Sequence, residues 1–190
     1  WQYSKIADSV GQPPTAPWEG SSGVSTIYNT MVSPLGPLGI KGVAWYQGEA
    51  DVGQVGYDRR LAAWMANWRA QFRDPQLPFL IVGLAGWGKP VSHPVESGWA
   101  ALINEQRLAT EREPRSALIS AIDLGEPNDI HPANKQEVGR RLALAAHSLV
   151  YRDGGTVGPL PVSALRQGGD IVGTFTKPLQ VLSGRNANAF

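Results

Sequence analysis

Polar side chains that could do chemistry follow directly after one apolar run. The stretch "KGVAWYQGEAD" ends in Gln47, Gly48, Glu49 and Asp51, where a strand that merely stops usually ends in a turn signal. A carboxylate can orient and charge-balance an imidazolium as the third member of a hydrolase triad. A side-chain amide beside a glycine N–H can stabilise an oxyanion. The two acids could equally be ordinary loop carboxylates, so this loop is either a cap or part of a site.

Histidine is the side chain best suited to acid–base work near neutral pH, and the chain has only three of them. His131 follows Asp129 and precedes Pro132, which fixes the backbone just before a predicted helix. That placement suits a general base whose ring must be held at one angle, although a simple helix-entry histidine is the alternative. His93 in a loop and His147 within the last predicted helix are predicted to have no catalytic role.

The elements that must position these groups alternate along the chain. Short glycine-bounded apolar runs predict buried strands, and apolar spacings of three and four predict amphipathic helices. The strands are predicted at 40–46, 79–87 and 116–124, and the helices at 57–72, 99–112 and 133–151. This order predicts an α/β fold with a parallel sheet. Because ligands sit beyond the carboxyl ends of parallel strands, "QGEAD" and "GEPNDIHP" are expected to meet at one edge.

The two ends of the chain have a different character. Residues 25–35 predict a short helix or turn, and the preceding residues are rich in Gly, Pro and Ser. After Gly154 the sequence has short β-like runs and turns without a helix. We therefore expect an α/β domain over 1–154 and the start of an incomplete β-region over 155–190.

Composition excludes several classes of function. With 190 residues, 42% hydrophobic and 17% charged, the chain can bury a core as one ordinary domain. A net charge of +1 without basic clusters gives no support for a nucleic-acid or anionic-membrane partner. No apolar run approaches the ~18–20 residues of a membrane span. Zero cysteines exclude disulfide and thiolate chemistry, and the scattered carboxylates predict no metal and no other cofactor.

Two motifs together resemble a known family. "KGVAWYQGEAD" and "DIHPANKQEVGRRLALAA" resemble the corresponding blocks of the sialate O-acetylesterase-like carbohydrate esterases, a branch of the SGNH hydrolases. The resemblance implies a three-layer α/β/α sandwich and a serine esterase that removes acetyl groups from sugars. It implies that His131 is the general base, Gln47 an oxyanion donor and Glu49 the helper acid. It further implies an acetylated carbohydrate as substrate and a periplasmic or secreted location.

The chain departs from the family pattern at the helper acid. Many SGNH enzymes carry an aspartate three residues before the histidine, and this position here is Asn128, which holds no charge. Asp129 is the shifted candidate and Glu49 the one favoured by the resemblance. Both remain candidates at this point.

A second departure concerns the nucleophile. The family carries its serine in a Gly-Gln-Ser-Asn type block after the first strand, whereas here Gly11 and Gln12 are followed by Pro13. The serines at 21, 22 and 25 are interpreted as turn residues. We expect the first strand and the serine to come from outside this chain, from an N-terminal part of the same protein or a separate chain. The resemblance thus implies that residues 1–154 are a partial SGNH hydrolase domain that lacks the nucleophile block, and this chain alone is expected to be inactive.

Two rival functions remain open. A glycosidase could use Glu49 and Asp51 as paired acids, although residues i and i+2 of one loop are poorly placed to flank a glycosidic bond at ~5–10 Å. A non-catalytic carbohydrate-binding module could use the seven tryptophans as stacking platforms. For the esterase, the loop over 86–98 and segments outside this chain are expected to determine which sugar is deacetylated.

Overall fold

A parallel three-stranded sheet forms the centre of the computed structural model, which describes residues 23, 25–93, 95–155 and 157–179. Its strands are β1 (Val43–Trp45), β2 (Phe79–Val82) and β3 (Ser116–Ile119), in the order β1-β2-β3. Val43 pairs with Phe79, and Phe79 in turn pairs with Ser116. The predicted parallel α/β fold is confirmed.

Helices cover both faces of this sheet. They are α1 (Tyr57–Gln71), α2 (Gly98–Arg112) and α3 (Lys135–Ala146). Because successive side chains of a strand point to opposite faces, Phe79 and Ile81 pack in the cluster formed with α1 and α2. Leu80 packs instead with Ala145 of α3, on the other face. The result is the predicted three-layer α/β/α sandwich, with β2 buried along its whole length.

Each helix begins where a polar group satisfies its first backbone N–H groups. Ser97 Oγ accepts a hydrogen bond from Ala100 N at 3.2 Å at the start of α2. Asn134 Oδ1 accepts from Glu137 N at 3.1 Å at the start of α3. Helix α1 has no side-chain cap of its own.

The start of α1 is capped from α2 instead. The carboxylate of Glu105 accepts from the N–H groups of Tyr57 and Asp58. A negative charge at this end also interacts favourably with the helix dipole. This cross-helix cap fixes the position of Tyr57, which is buried and lies close to the loop after β1.

The predicted strands extend beyond the paired segments. The ladder between β2 and β3 continues only to the bond from Gly83 N to Ile119 O, 2.9 Å long. Beyond it the regular pairing ends and both segments continue as loops, in which Ile122–Leu124 forms a 3-10 turn. Strand β1 is limited to the residues that face β2. The predicted last helix likewise ends at Ala146 and continues as a π-helical turn, His147–Tyr151.

The flanking segments agree with their predicted character. Tyr28–Val32 is a π-helical turn and Ser33–Leu35 a 3-10 turn. An antiparallel hairpin of β4 (Pro161–Gln167) and β5 (Asp170–Phe175) follows the sandwich. The division of the chain at 154 and 155 remains a prediction. Gly11, Gln12, Pro13 and the serines at 21 and 22 lie outside the described residues. Within the described part of the chain, no helix combines the length and the apolar character that a membrane crossing needs.

Candidate active site

The loop after β1 folds its acids onto its own backbone and amide. Glu49–Asp51 forms a 3-10 turn, in which Glu49 Oε2 accepts from Gly48 N at 2.9 Å. Asp51 Oδ2 accepts from Gln47 Nε2 at 3.3 Å, and its other oxygen forms an ion pair with Arg60 at 3.0 Å. Both carboxylates are only partly exposed. The amide and the two acids predicted from sequence are therefore within one hydrogen-bonded turn.

Gly48 is buried at the tightest point of this turn. Its φ of 154° is one that L side chains rarely adopt, and a Cβ here would lie 2.9 Å from Leu102 Cδ2. The same Cβ would lie 3.2 Å from Gln106 Nε2. A glycine suits this position because of its φ, and because the ends of two α2 side chains lie close to where a Cβ would be.

Two buried side chains hold Gln47 in place. The Tyr57 hydroxyl lies 3.0 Å from the Gln47 carbonyl oxygen and 3.2 Å from its Oε1. Gln106 Nε2 donates to the same carbonyl oxygen at 3.1 Å. The carboxamide of Gln47 is thus held at its oxygen by Tyr57 and at its nitrogen by Asp51.

Gln106 also reaches the loop after β2. It is fully buried, and its Oε1 accepts from Leu84 N at 3.2 Å. A buried amide is costly unless it is hydrogen-bonded, and both groups of Gln106 are satisfied by backbone atoms of two different loops. One side chain of α2 therefore fixes the distance between the ends of β1 and β2.

The electrostatic environment keeps two nearby tyrosines protonated. Burial raises the pKa of Tyr57 above its usual value, and the charges of Asp51 and Glu49 act in the same direction. Burial also raises the pKa of Tyr46, with Glu49 as the second cause. Both phenols are therefore neutral at physiological pH, and Tyr57 can act as a hydrogen-bond donor to Gln47.

In the loop after β3, two carboxylates accept hydrogen bonds from the backbone at and near His131. Asp129 Oδ1 accepts from His131 N at 2.8 Å, and Glu126 Oε1 accepts from Ala133 N at 3.3 Å. Pro132 is buried, while His131 itself is exposed. Within the described ranges, no hydrogen bond or ion pair is made by its imidazole.

The two loops lie at the same end of the sheet. Tyr46, next to Gln47, packs against a hydrophobic cluster that includes Ala121 and Val138, which lie before and after the His131 loop in the chain. Lys135 Nζ, in the first turn of α3, lies 5.2 Å from the centre of the Tyr46 ring. Neither Glu49 nor Asp129 bonds to the imidazole, so the identity of the helper acid remains a prediction.

The loop after β2 lies between these two and contacts the His131 loop directly. Gly86 N donates to Ile122 O and Gly88 N donates to Pro127 O, both at 3.2 Å. A Cβ at Gly125 would lie only 1.7 Å from Gly86 O. The backbones of the loops after β2 and β3 therefore touch.

An arginine of α3 anchors the beginning of the His131 loop. Arg141 makes two bonds of 2.6 Å to the carboxylate of Asp123 and one of 2.8 Å to Ser120 O. It also contacts Glu137 at 2.8 Å. Hydrogen bonding to Arg141 lowers the pKa of Asp123. Hydrogen bonds from Arg140 and then Arg141 lower the pKa of Glu137 to about 2.

The sequence did not reveal the contacts of Tyr57 and Gln106 with the site. Both are buried on the inner faces of their helices. The available signal was Gln106 itself, a polar residue on an apolar helix face. Such a residue needs a buried partner, but the partner is 59 positions away in the chain.

The fold is of the SGNH-hydrolase type. It is a three-layer α/β/α sandwich, and the Gln47 and His131 loops both lie at the carboxyl ends of its parallel strands. The family model of carbohydrate esterases, described as sialic acid-specific acetylesterase, matches residues 7–148. The chain belongs to this family.

Individual relatives agree with this assignment. The chain is 29% identical to the mouse sialate O-acetylesterase over 83% of its own length and 33% of that protein. It is 30% identical to the rat sialate O-acetylesterase over 78% of its length and 31% of that protein. A solved carbohydrate acetylesterase from Xanthomonas citri matches with a TM-score of 0.69 and 39% identity, over 78% of this chain and 35% of that one. The chain thus spans about a third of each relative.

Proposed function

We propose that this chain is part of a carbohydrate O-acetylesterase, which hydrolyses acetyl esters on sugars by a serine mechanism. The observation that carries the proposal is the approach of the Gln47 loop to the His131 loop, joined through Tyr46 and Lys135. A binding module would need neither loop. Family membership and the names of the relatives supply the acetyl ester and the sugar.

The nucleophilic serine is proposed to come from a segment outside this chain. Among the described residues, β1 pairs with β2 alone, so its other edge is available for a further strand. Ser25, the one described member of the three turn serines, is exposed at the start of the Tyr28–Val32 turn region, with a positive φ of 61°. That placement favours its interpretation as a turn residue.

The proposed chemistry proceeds in two balanced steps. The serine oxygen attacks the acetyl carbonyl while His131 accepts its proton, and His131 then protonates the sugar oxygen as the ester bond breaks. Water next attacks the acetyl-enzyme while His131 accepts its proton, and His131 then returns a proton to the serine oxygen as the acyl bond breaks and acetate leaves. Glu49 is proposed to hold the imidazole in one tautomer and to stabilise its charged form.

Gln47 is proposed to stabilise the oxyanion of both steps. Its NH₂ group has two N–H bonds, and within the described structure only one acceptor, Asp51, contacts it. The second N–H is available for a developing negative charge. Loss of one such donor typically raises the barrier by about 3 kcal/mol. Tyr57 and Gln106 support this role because they remove the rotational freedom of the amide and its backbone.

The contacts of the site disfavour the two rival functions. Glu49 and Asp51 share one short turn, and Asp51 is neutralised by Arg60. That arrangement is unsuited to two acids on opposite sides of a glycosidic bond. The tryptophans 45, 64, 68 and 99 pack against the main hydrophobic cluster, so they cannot form an open binding platform.

The proposal is tested with the whole protein that contains this chain. Acetylated xylan and an O-acetylated sialoside, whose anomeric carbons are held in glycosidic bonds, are incubated with it, and acetate and reducing sugar are measured separately. We expect acetate release without new reducing ends. Release of reducing sugar without acetate would support a glycosidase, and binding without either product would support a binding module; each result would overturn the esterase proposal.

A further inference from the structure

One tryptophan at the rim of the candidate active site is exposed. Trp87 is 49% exposed in the loop after β2, whereas the other described tryptophans pack against the main core cluster. Burying an indole is strongly favourable, so a tryptophan side chain that stays half exposed beside a candidate active site indicates a surface for a ligand. Its indole N–H has no hydrogen-bond partner in the described part of the chain.

The Trp87 ring is supported from beneath by a second tryptophan. The centres of the Trp87 and Trp99 rings are 5.3 Å apart, with 39° between their planes. Trp99 Nε1 donates to Ala85 O at 2.8 Å, which fixes the supporting ring. The exposed indole therefore rests on an anchored partner at the start of α2.

Both loops of the candidate site brace this pair. The bonds from Gly86 N to Ile122 O and from Gly88 N to Pro127 O enclose Trp87 and tie it to the His131 loop. On the other side, a Cβ at Gly98 would lie 3.3 Å from Val52 Cγ1, so the start of α2 contacts the Gln47 loop. Trp87 is thus held between the two loops to which catalysis is assigned.

We propose that Trp87 is a stacking subsite for a pyranose ring of the carbohydrate substrate. The inference rests on the proposed function and adds how the sugar, as distinct from its acetyl group, is recognised. An indole face is electron-rich and apolar, and it complements the C–H face of a sugar ring. The unpartnered indole N–H can donate to a sugar hydroxyl at the ring edge. Such a contact acts on sugar binding, while the acetyl group is handled by Gln47 and His131.

The kinetic test compares two esters in the whole protein. Xylose tetraacetate contains a pyranose ring and p-nitrophenyl acetate does not. For Trp87→Ala we expect the ratio of kcat/KM for the sugar ester to that for the aryl ester to fall about tenfold, mainly through KM. Trp87→Phe, which keeps an aromatic face, should recover most of the ratio. An unchanged ratio in Trp87→Ala would overturn the proposal.

Tyr151→Ala is the matched control, because this tyrosine is 59% exposed and also contacts another ring, that of His147. It follows the end of α3, where Leu149 O accepts from Arg115 just before β3, at the opposite end of the sheet. We expect the wild-type ratio in this variant. An equal fall in both variants would contradict a subsite at Trp87.

A binding measurement separates this proposal from the esterase proposal. Methyl β-xyloside, methyl β-glucoside and N-acetylneuraminic acid carry no O-acetyl group, and their binding is followed by calorimetry. We expect wild-type protein to bind at least one of them about tenfold more tightly than Trp87→Ala does. Equal affinity, or no binding of any of the three to wild type, would overturn the subsite. The binding measurement does not depend on acetate release. If no ester were hydrolysed, the esterase proposal would be refuted, while the subsite could still be tested by binding.

Discussion

Gln106 Nε2 donates to the backbone oxygen of Gln47 at 3.1 Å, from a side chain that is fully buried in the core. The other end of the same amide accepts from Leu84 N. A polar side chain of α2 with no exposed surface therefore connects the ends of two neighbouring strands. Through the bond to Gln47 O, the buried core fixes the position of the loop that carries the candidate oxyanion donor.

Replacing this amide by an apolar side chain of similar size should destabilise the fold. Gln106→Leu leaves the Leu84 N–H and the Gln47 carbonyl without this partner, and an unsatisfied buried group costs about 1–3 kcal/mol. We expect a loss of about 2–4 kcal/mol in the free energy of unfolding, measured with urea. Gln136→Leu, on the exposed face of α3, is the control and should lose less than about 0.5 kcal/mol. Equal stabilities of the two variants would refute the bridging role.

Removing the Tyr57 hydroxyl tests the restraint on the Gln47 side chain itself. Tyr57→Phe keeps the buried ring and removes only the donor to the Gln47 oxygens. We expect about 1 kcal/mol less stability, the usual net value of one hydrogen bond. In the whole protein kcat for an acetylated sugar should fall several-fold with little change in KM, because a loosened Gln47 affects the transition state more than the ground state. A rise in KM alone would point to a role in substrate binding instead.

A pair of charge-removing variants distinguishes the two candidates for the helper acid. Asp129→Asn keeps an oxygen that can accept from His131 N, so the loop should retain its shape. Glu49→Gln removes the only acid of the Gln47 loop that is not paired with an arginine. We expect a fall in kcat of about a hundredfold or more for Glu49→Gln and less than about fivefold for Asp129→Asn. The opposite order would assign the role to Asp129.

The acid stability of the protein should depend on the carboxylates around Arg141. The pKa of Glu137 is about 2 in the folded protein and 4.5 in its unperturbed state, and the pKa of Asp123 is also lowered. A lowered folded pKa contributes stability that is complete above the unfolded value and is lost as pH falls through the folded value. The contribution should therefore decline between about pH 4.5 and about pH 2.

Glu137→Gln measures this contribution. The difference in unfolding free energy between wild type and variant should be constant above about pH 5 and should shrink toward pH 2. Glu96→Gln, in the exposed loop before α2, is the control. A difference that does not change between pH 5 and pH 2.5 would show that the charge of Glu137 does not stabilise the fold.

The sequence predicted elements better than it predicted contacts. The spacing of apolar residues predicted α1 to within one residue of its end, because each turn repeats the same buried face. Strands β2 and β3 were predicted too long because their regular pairing ends at Gly83 and Ile119, after which the two loops approach each other closely at Gly86 and Gly125. That crossing depends on tertiary packing, which no local pattern contains.

The same limit applies to the site. Parallel strands place their carboxyl ends at one edge, so the meeting of the Gln47 and His131 loops could be predicted from element order alone. The bonds within the site could not. Tyr57 and Gln106 contact Gln47 because α1 and α2 pack together on one face of the sheet. Asp129 instead bonds to the backbone of its own loop, because an aspartate readily accepts from an N–H two residues further along the chain.

The central claim is that His131 acts as the base for a serine at the edge where the two loops meet. His131→Ala and His93→Ala are compared in the whole protein, since both histidines are exposed loop residues. We predict that His131→Ala lowers kcat for an acetylated sugar by about a thousandfold or more, with unchanged unfolding free energy, and that His93→Ala retains wild-type kcat. Wild-type acetate release by His131→Ala would contradict the account.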